Sequence, residues 1–268
     1  MYIMDIFKRE LAPITEAAWE QIETEAKNTL HANLSARKFV DVKGPFGLSY
    51  PAHTTGKLSV PKKQDKAAVR YGVHQVMPLT ESRISFELDV WELDNANRGA
   101  SDIELTPLRE AARAIAKFEE NAIYGGFSEA NLKGITGSVE FPVIKLSSDK
   151  SALLESVSKG ITVLREASIE GPYALVASPA IWKAFTSYSN GYPLNKHLEK
   201  ILGGEIIYSP FIDDAYLVSL RGGDMDLILG SDFSIGYESH DSEKVKLFIS
   251  ESFTFMIYEP QVFVRFTM

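Results

Sequence analysis

The stretch Arg83-Ile84-Ser85-Phe86-Glu87-Leu88-Asp89-Val90-Trp91, with the segment that follows it to Tyr124, decides how the chain folds. Ile84, Phe86, Leu88 and Val90 alternate with Ser85, Glu87, Asp89 and Trp91, the period of a half-buried strand. The polar run Asp94-Asn95-Ala96-Asn97-Arg98-Gly99 breaks that pattern, and a helix begins after it. Thr106 can cap the helix, Pro107 suits its first position, and Glu110 complements the positive end of the helix dipole. Leu108, Ala111, Ala112, Ile115 and Phe118, continued by Ala122 and Ile123, make one broad apolar face. Gly125-Gly126 ends the run. About 19 residues at 1.5 Å each give a rod of roughly 28 Å, a spine against which sheets can pack.

Working outward from that spine, Thr15 opens an earlier helix whose Trp19, Ile22, Ala26, Leu30 and Leu34 share a face. Arg37 to Val42 is expected as a short strand, with Gly44-Pro45 a turn. Leu48 to Val60 and Ala68 to Met77 alternate weakly around the charged tip Pro61 to Lys66. Such a hairpin buries little core of its own, so it is expected to lie on something else, most simply a second subunit. From about 137 to 220, helices alternate with strands at Tyr173–Ala177, 205–208 and 215–220, which suggests a subdomain with its own sheet. Leu227 to Leu229 and Phe233 to Tyr237 are expected as two short runs. Lys244 to Tyr258 is expected as a long strand, and Gln261 to Phe266 as a closing one. Glu251 interrupts the apolar face of the long strand, which predicts a bulge or a paired carboxylate there. The class is α+β with antiparallel strands and one spine helix.

Composition narrows the function. With 268 residues, 45% hydrophobic and 24% charged, the chain is expected to bury a core. A net charge of −8 argues against sequence-independent binding of nucleic acid. There is no cysteine, which removes disulfides, thiolate metal sites and thiol catalysis. Met1 to Lys8 does not read as a signal peptide, and no run approaches the ~20 apolar residues of a membrane span, so a cytoplasmic protein is expected. No phosphate-binding loop, nucleophile elbow or zinc motif occurs. The five histidines lack metal-ligand spacing. Glu119 and Glu120 invite a di-iron reading, but without a Glu-x-x-His pair they are expected as solvated charge. Trp91, on the polar parity of its strand, fits either an interface or a stack against a planar ligand, with Arg83 available for a phosphate or carboxylate.

Several sequence blocks carry a resemblance over essentially the whole chain. They are Leu11-Ala12-Pro13-Ile14-Thr15 with Trp19, and Arg37 to Val42 with Gly44-Pro45. Leu88 to Asp94 follows with Arg98-Gly99, then Gly171-Pro172-Tyr173 and Gly191-Tyr192-Pro193-Leu194. The last are Arg221-Gly222-Gly223-Asp224, Ser234-Ile235-Gly236-Tyr237, and Glu251 with Phe253-Thr254-Phe255. In this order they resemble the encapsulins, shell proteins of microbial nanocompartments. The resemblance implies an HK97-type capsid fold with a discontinuous peripheral P-domain (1–47, 91–136, 221–268), an extended E-loop (48–90) and an axial A-domain (137–220). It implies a structural role rather than an enzymatic one: a homo-oligomeric icosahedral shell, 60 subunits with T=1, around a peroxidase or ferritin-like cargo enzyme held by a C-terminal targeting peptide. It further implies a peptide groove at Arg37, Asp41, Gly44, Phe46 and Ile235. It places a five-fold pore loop at Ser189, Asn190, Gly191, Tyr192 and Pro193, and in some relatives a flavin (FMN) near Trp91. A phage capsid protein and an enzyme such as a protease are the competing readings.

Overall fold

The run 80–89 is a strand, and its last residue turns the chain into a helix. In the computed structural model, which describes residues 6–64, 69–147, 149–186 and 193–268, strand Thr80–Asp89 buries Phe86 and Leu88. The Asp89 carboxylate then accepts from the backbone N–H groups of Trp91 (2.9 Å) and Glu92 (3.4 Å). Helix Val90–Asn97 follows. Trp91 therefore belongs to the first turn of a helix and not to the strand, and most of the expected polar break is helical. The overlooked signal is Asp89 three residues before Glu92, a helix-start pattern that outweighs the continued alternation.

The spine helix spans Thr106–Gly125. It starts one residue earlier than expected: Leu105 occupies the cap, and the Thr106 N–H donates to the Glu104 carboxylate at 2.6 Å. Its first half packs Leu108, Ala111, Ala112 and Ile115 against Ala18, Ile22 and Ala26 of helix Glu16–Asn33, and against the inner face of a four-stranded sheet. Its last turns place Ala122, Ile123 and Tyr124 in a second, larger core. The helix is thus the beam shared by two cores. Gly126, at φ +92°, ends it, and Gly134 lies so close that an added Cβ would stand 2.2 Å from the Gly126 nitrogen and 2.7 Å from the Tyr124 oxygen. Those are backbone atoms with little freedom to move. Gly134→Ala is expected to lower unfolding free energy by about 3 kcal/mol, the upper part of the usual overpacking cost. A denaturant midpoint unchanged from wild type would refute this.

The four-stranded sheet runs in the order Asp41–Lys43, Met225–His240, Lys244–Ile257, Thr80–Asp89. Arg37 to Val42 is not one strand: Ala36–Lys38 is a 3-10 turn, and pairing begins at Asp41, parallel to Asp226. The runs 227–229 and 233–237 are one continuous strand, bent where its register with Lys244–Ile257 shifts between Ser250 and Ser252. That shift is the bulge expected at Glu251.

The second sheet has the order Ile144–Lys145, Phe263–Thr267, Ala215–Ser219, Tyr173–Ala177, Ile206–Tyr208. Strand Phe263–Thr267, grouped by sequence order with the peripheral segment 221–268, pairs inside the sheet of 137–220. Among the described residues, strands Ala52–Ser59 and Val73–Pro78 pair only with each other, and the hairpin leaves Leu58, Val60, Val69, Tyr71, Val73 and Val76 exposed. Among the described residues no helix is long and apolar enough to cross a membrane.

Candidate functional site at the junction of the two cores

The 3-10 turn after the first helix carries Arg37 into the seam between the cores. Its Nε donates to Glu119 at 3.0 Å and its Nη2 to the same carboxylate at 2.6 Å. Nη2 also reaches Glu251 at 2.5 Å, and Nη1 reaches Asp232 at 2.9 Å. The face of the guanidinium lies over the Phe233 ring, 4.7 Å from its centre. Glu119 and Glu251 are fully buried. Beside them Glu120, also fully buried, accepts from the Ala36 N–H at 2.9 Å and from the Ser35 hydroxyl. Tyr124 Oη and Ser209 Oγ each stand 2.8 Å from Ser35 Oγ. Glu119 and Glu120 are therefore not solvated charge. They look like it in the sequence because helix periodicity places them beside the apolar stripe, while only the tertiary fold covers both.

The arrangement carries more carboxylates than cations. Burial opposes the Arg37 charge, but Glu119 above all, with Glu251 and Asp232, outweighs it and pushes the guanidinium pKa up further. Burial, reinforced by the neighbouring Glu119, raises Glu251 well above the usual carboxylate range. Its Oε2 is buried without a partner, as is Ser82 Oγ of the residue opposite it in the sheet, which suits a neutral carboxylic acid. Glu120 is pushed up to about 7, again by burial, against the hydrogen bonds from Ser35 and Ala36. The folded protein then holds a proton that the unfolded chain releases near pH 4.5. Stability drawn from Glu120 is complete below that pH and is lost as pH rises to about 7, by at most ~1.4 kcal/mol per unit. Glu120→Gln is expected to flatten this part of the stability–pH curve between pH 4.5 and 7, and parallel curves for variant and wild type would exclude it.

Above the cluster opens a cavity of about 700 Å³. Leu30 and Leu34 of the first helix form one apolar wall, and Phe233, Ile235 and Ile249 of the sheet form the other. Lys27, His31 and Lys38 stand on the helix side. Of the five residues expected to line a peptide groove, Arg37 and Ile235 line this cavity, while Asp41, Gly44 and Phe46 do not. Asp41 accepts from the Gly223 N–H at 2.6 Å. Gly44 has φ +106°, and a Cβ added to it would stand 2.5 Å from the Leu229 carbonyl oxygen. Phe46 is half exposed and packs on Tyr50, ring centres 4.9 Å apart. Leu30 and Leu34 were legible as an apolar helix face, but not as one that extends past its own core.

Trp91 is 70% exposed, with the Arg98 guanidinium 5.8 Å from its ring centre. Arg83 lies six residues before the end of its strand, roughly 20 Å away at 3.3 Å per residue. It covers the Phe248 ring at 4.0 Å. The two side chains therefore do not converge within one chain. Of the expected pore loop, Ser189, Asn190, Gly191 and Tyr192 lie outside the described residues, and Pro193 is the exposed residue before helix Leu194–Leu202.

Residues 4–254 match a protein family described as "Encapsulating protein for peroxidase". The type 1 encapsulin shell protein of Rhodococcus erythropolis is 40% identical over 257 residues, covering 96% of this chain and 97% of its own. The chain belongs to the encapsulins. Among solved structures, a virus-like particle from Pyrococcus furiosus matches with a TM-score of 0.65 at 16% identity, covering 92% of this chain and 98% of its own. Mycobacterium phage Bobi matches with a TM-score of 0.58 at 10% identity, covering 88% and 90%. At those identities the likeness shows the fold alone, an HK97-like capsid fold. Encapsulin relatives are named for a shell, and this encapsulin is a structural protein and not an enzyme.

Proposed function

We propose that copies of this chain assemble in the cytoplasm into a closed icosahedral shell, of 60 subunits with T=1. The cavity between the first helix and the sheet takes the C-terminal targeting peptide of a cargo enzyme, a peroxidase or a ferritin-like protein. Small solutes pass through pores between subunits. The observation that carries the shell is the hairpin 52–78 on a capsid fold: among the described residues its strands pair only with each other, and its apolar side chains are exposed. Six large exposed side chains on one hairpin, three of them on its two strands and three in its tip, are unstable in water unless covered, and a neighbouring subunit covers them. Interfaces of the obligate class, on the order of 2,000 Å² or more, would follow.

The cavity suits an extended peptide because apolar residues from two different elements, the first helix and the sheet, line it. Size-exclusion chromatography of the purified chain, with negative-stain imaging of the leading peak, tests the shell. Uniform closed particles are expected, and a stable monomer at micromolar concentration would overturn the assignment.

A further inference from the structure

The cavity is apolar along its walls, but its cations are of two kinds. Arg37 is committed: Nε, Nη1 and both Nη2 hydrogens point at Glu119, Asp232, Glu119 and Glu251 respectively, four of the five N–H donors a guanidinium has. Arg9, also at the cavity, is paired with Glu23. Lys27 and Lys38 differ. Both line the cavity, both are exposed, and neither has a carboxylate within ion-pair distance among the described residues. Lys27 is on the first helix and Lys38 on the 3-10 turn that follows it after the break at Leu34 and Ser35. In a chain of net charge −8, two uncompensated ammonium groups beside an apolar slot reverse the local sign. The Arg37 end has the opposite character: Asp232 lines the cavity there and Glu119 lies buried behind Arg37, so these two carboxylates outnumber the one guanidinium even with Glu251 neutral.

Resting on the assignment of this cavity as a peptide groove, we infer that its occupant is an extended aliphatic segment carrying a carboxylate, and that Lys27 and Lys38, not Arg37, receive it. The walls take alternate aliphatic side chains, as an extended strand presents them. The carboxylate stays at the helix-side rim, where it meets Lys27 or Lys38, and each ammonium exchanges water for a charge-assisted hydrogen bond as the peptide covers it. The carboxylate can be an Asp or Glu side chain or the free C-terminus of the partner. Both offer the same two oxygens.

The test reassembles dissociated subunits in the presence of each of four fluorescein-labelled octapeptides and reads fluorescence anisotropy. All share the sequence Ser-Leu-Ser-Ile-Ser-Leu-Ser followed by Asp or Asn, each with a free or an amidated C-terminus. The peptide with neither carboxylate is expected to bind about tenfold more weakly than the peptide with both, the scale of one hydrogen bond to a charged group. Lys27→Gln with Lys38→Gln is expected to erase that difference. Retained affinity in the Asp amide assigns the side chain as the source, and retained affinity in the Asn free acid assigns the terminus. Equal binding of all four peptides to wild type, abolished by Leu30→Asp, would overturn carboxylate recognition and leave the groove standing. Absence of binding by any peptide, or binding that Leu30→Asp does not weaken, would overturn the groove and the carboxylate together.

Discussion

Arg37→Met is expected to destabilise the subunit by about 3–5 kcal/mol, the cost of leaving buried charge without its partner. The arginine joins three carboxylates, two of them fully buried. Without it Glu119 and Glu251 face each other across the seam with no cation, and at least one must take up a further proton or open the seam to water. The loss should therefore be larger above neutral pH than below it. A chemical-denaturation midpoint measures it. The triple variant Arg37→Met, Glu119→Gln, Glu251→Gln should recover most of the loss, because it neutralises the buried members of the ion-pair cluster and leaves only the half-exposed Asp232 charged. If Arg37→Met unfolds at the wild-type midpoint, the cluster contributes nothing to stability. If the triple variant is as unstable as the single one, the packing of the arginine over Phe233 matters more than its charge.

Replacing residues 55–75 by Asn-Gly is expected to abolish closed particles while leaving the subunit folded. Thr54 and Val76 are register partners, so a two-residue turn can join them without shifting the strands below. Among the described residues, what is removed forms no strand pairing with either main sheet. Thermal unfolding of the subunit should change little, whereas size-exclusion chromatography should move all material from particle to monomer or small oligomer. Uniform closed particles built from the shortened chain would show that the hairpin is not what holds neighbours together.

The parts of the fold that were legible are those set by local chemistry. The alternation through Ile84–Leu88, the apolar face from Leu108 to Ile123 and the capping Thr15 all describe short-range periodicity, and each formed close to the expected bounds. Glu251 was legible as an anomaly because a carboxylate on an apolar strand face has few stable outcomes, and it took two of them at once: a bulge and a hydrogen bond from Arg37. Where expectation failed, contacts distant in sequence decided. Glu119 and Glu120 read as solvent-facing until the turn at Ala36–Lys38, more than eighty residues earlier, brought Arg37 and Ser35 onto them. The strand 263–267 gave no sign of which sheet it would join, since its alternation is compatible with either. The cavity was half legible for a related reason: Ile235 and Arg37 could be placed, but the walls belong to a helix face and a bent strand whose meeting is purely tertiary.

The position of strand 263–267 has a consequence for how a subunit is made. It lies between Ile144–Lys145 and Ala215–Ser219, so the edge pair at 144–145 reaches the rest of its sheet only through it. A nascent chain that has already exposed residues 173–219 outside the ribosome still presents an open sheet edge until residue 267 has emerged. Translation thus delays maturity: a truncated or stalled subunit keeps an unpaired strand edge, and is marked for chaperones or proteases instead of entering a growing particle.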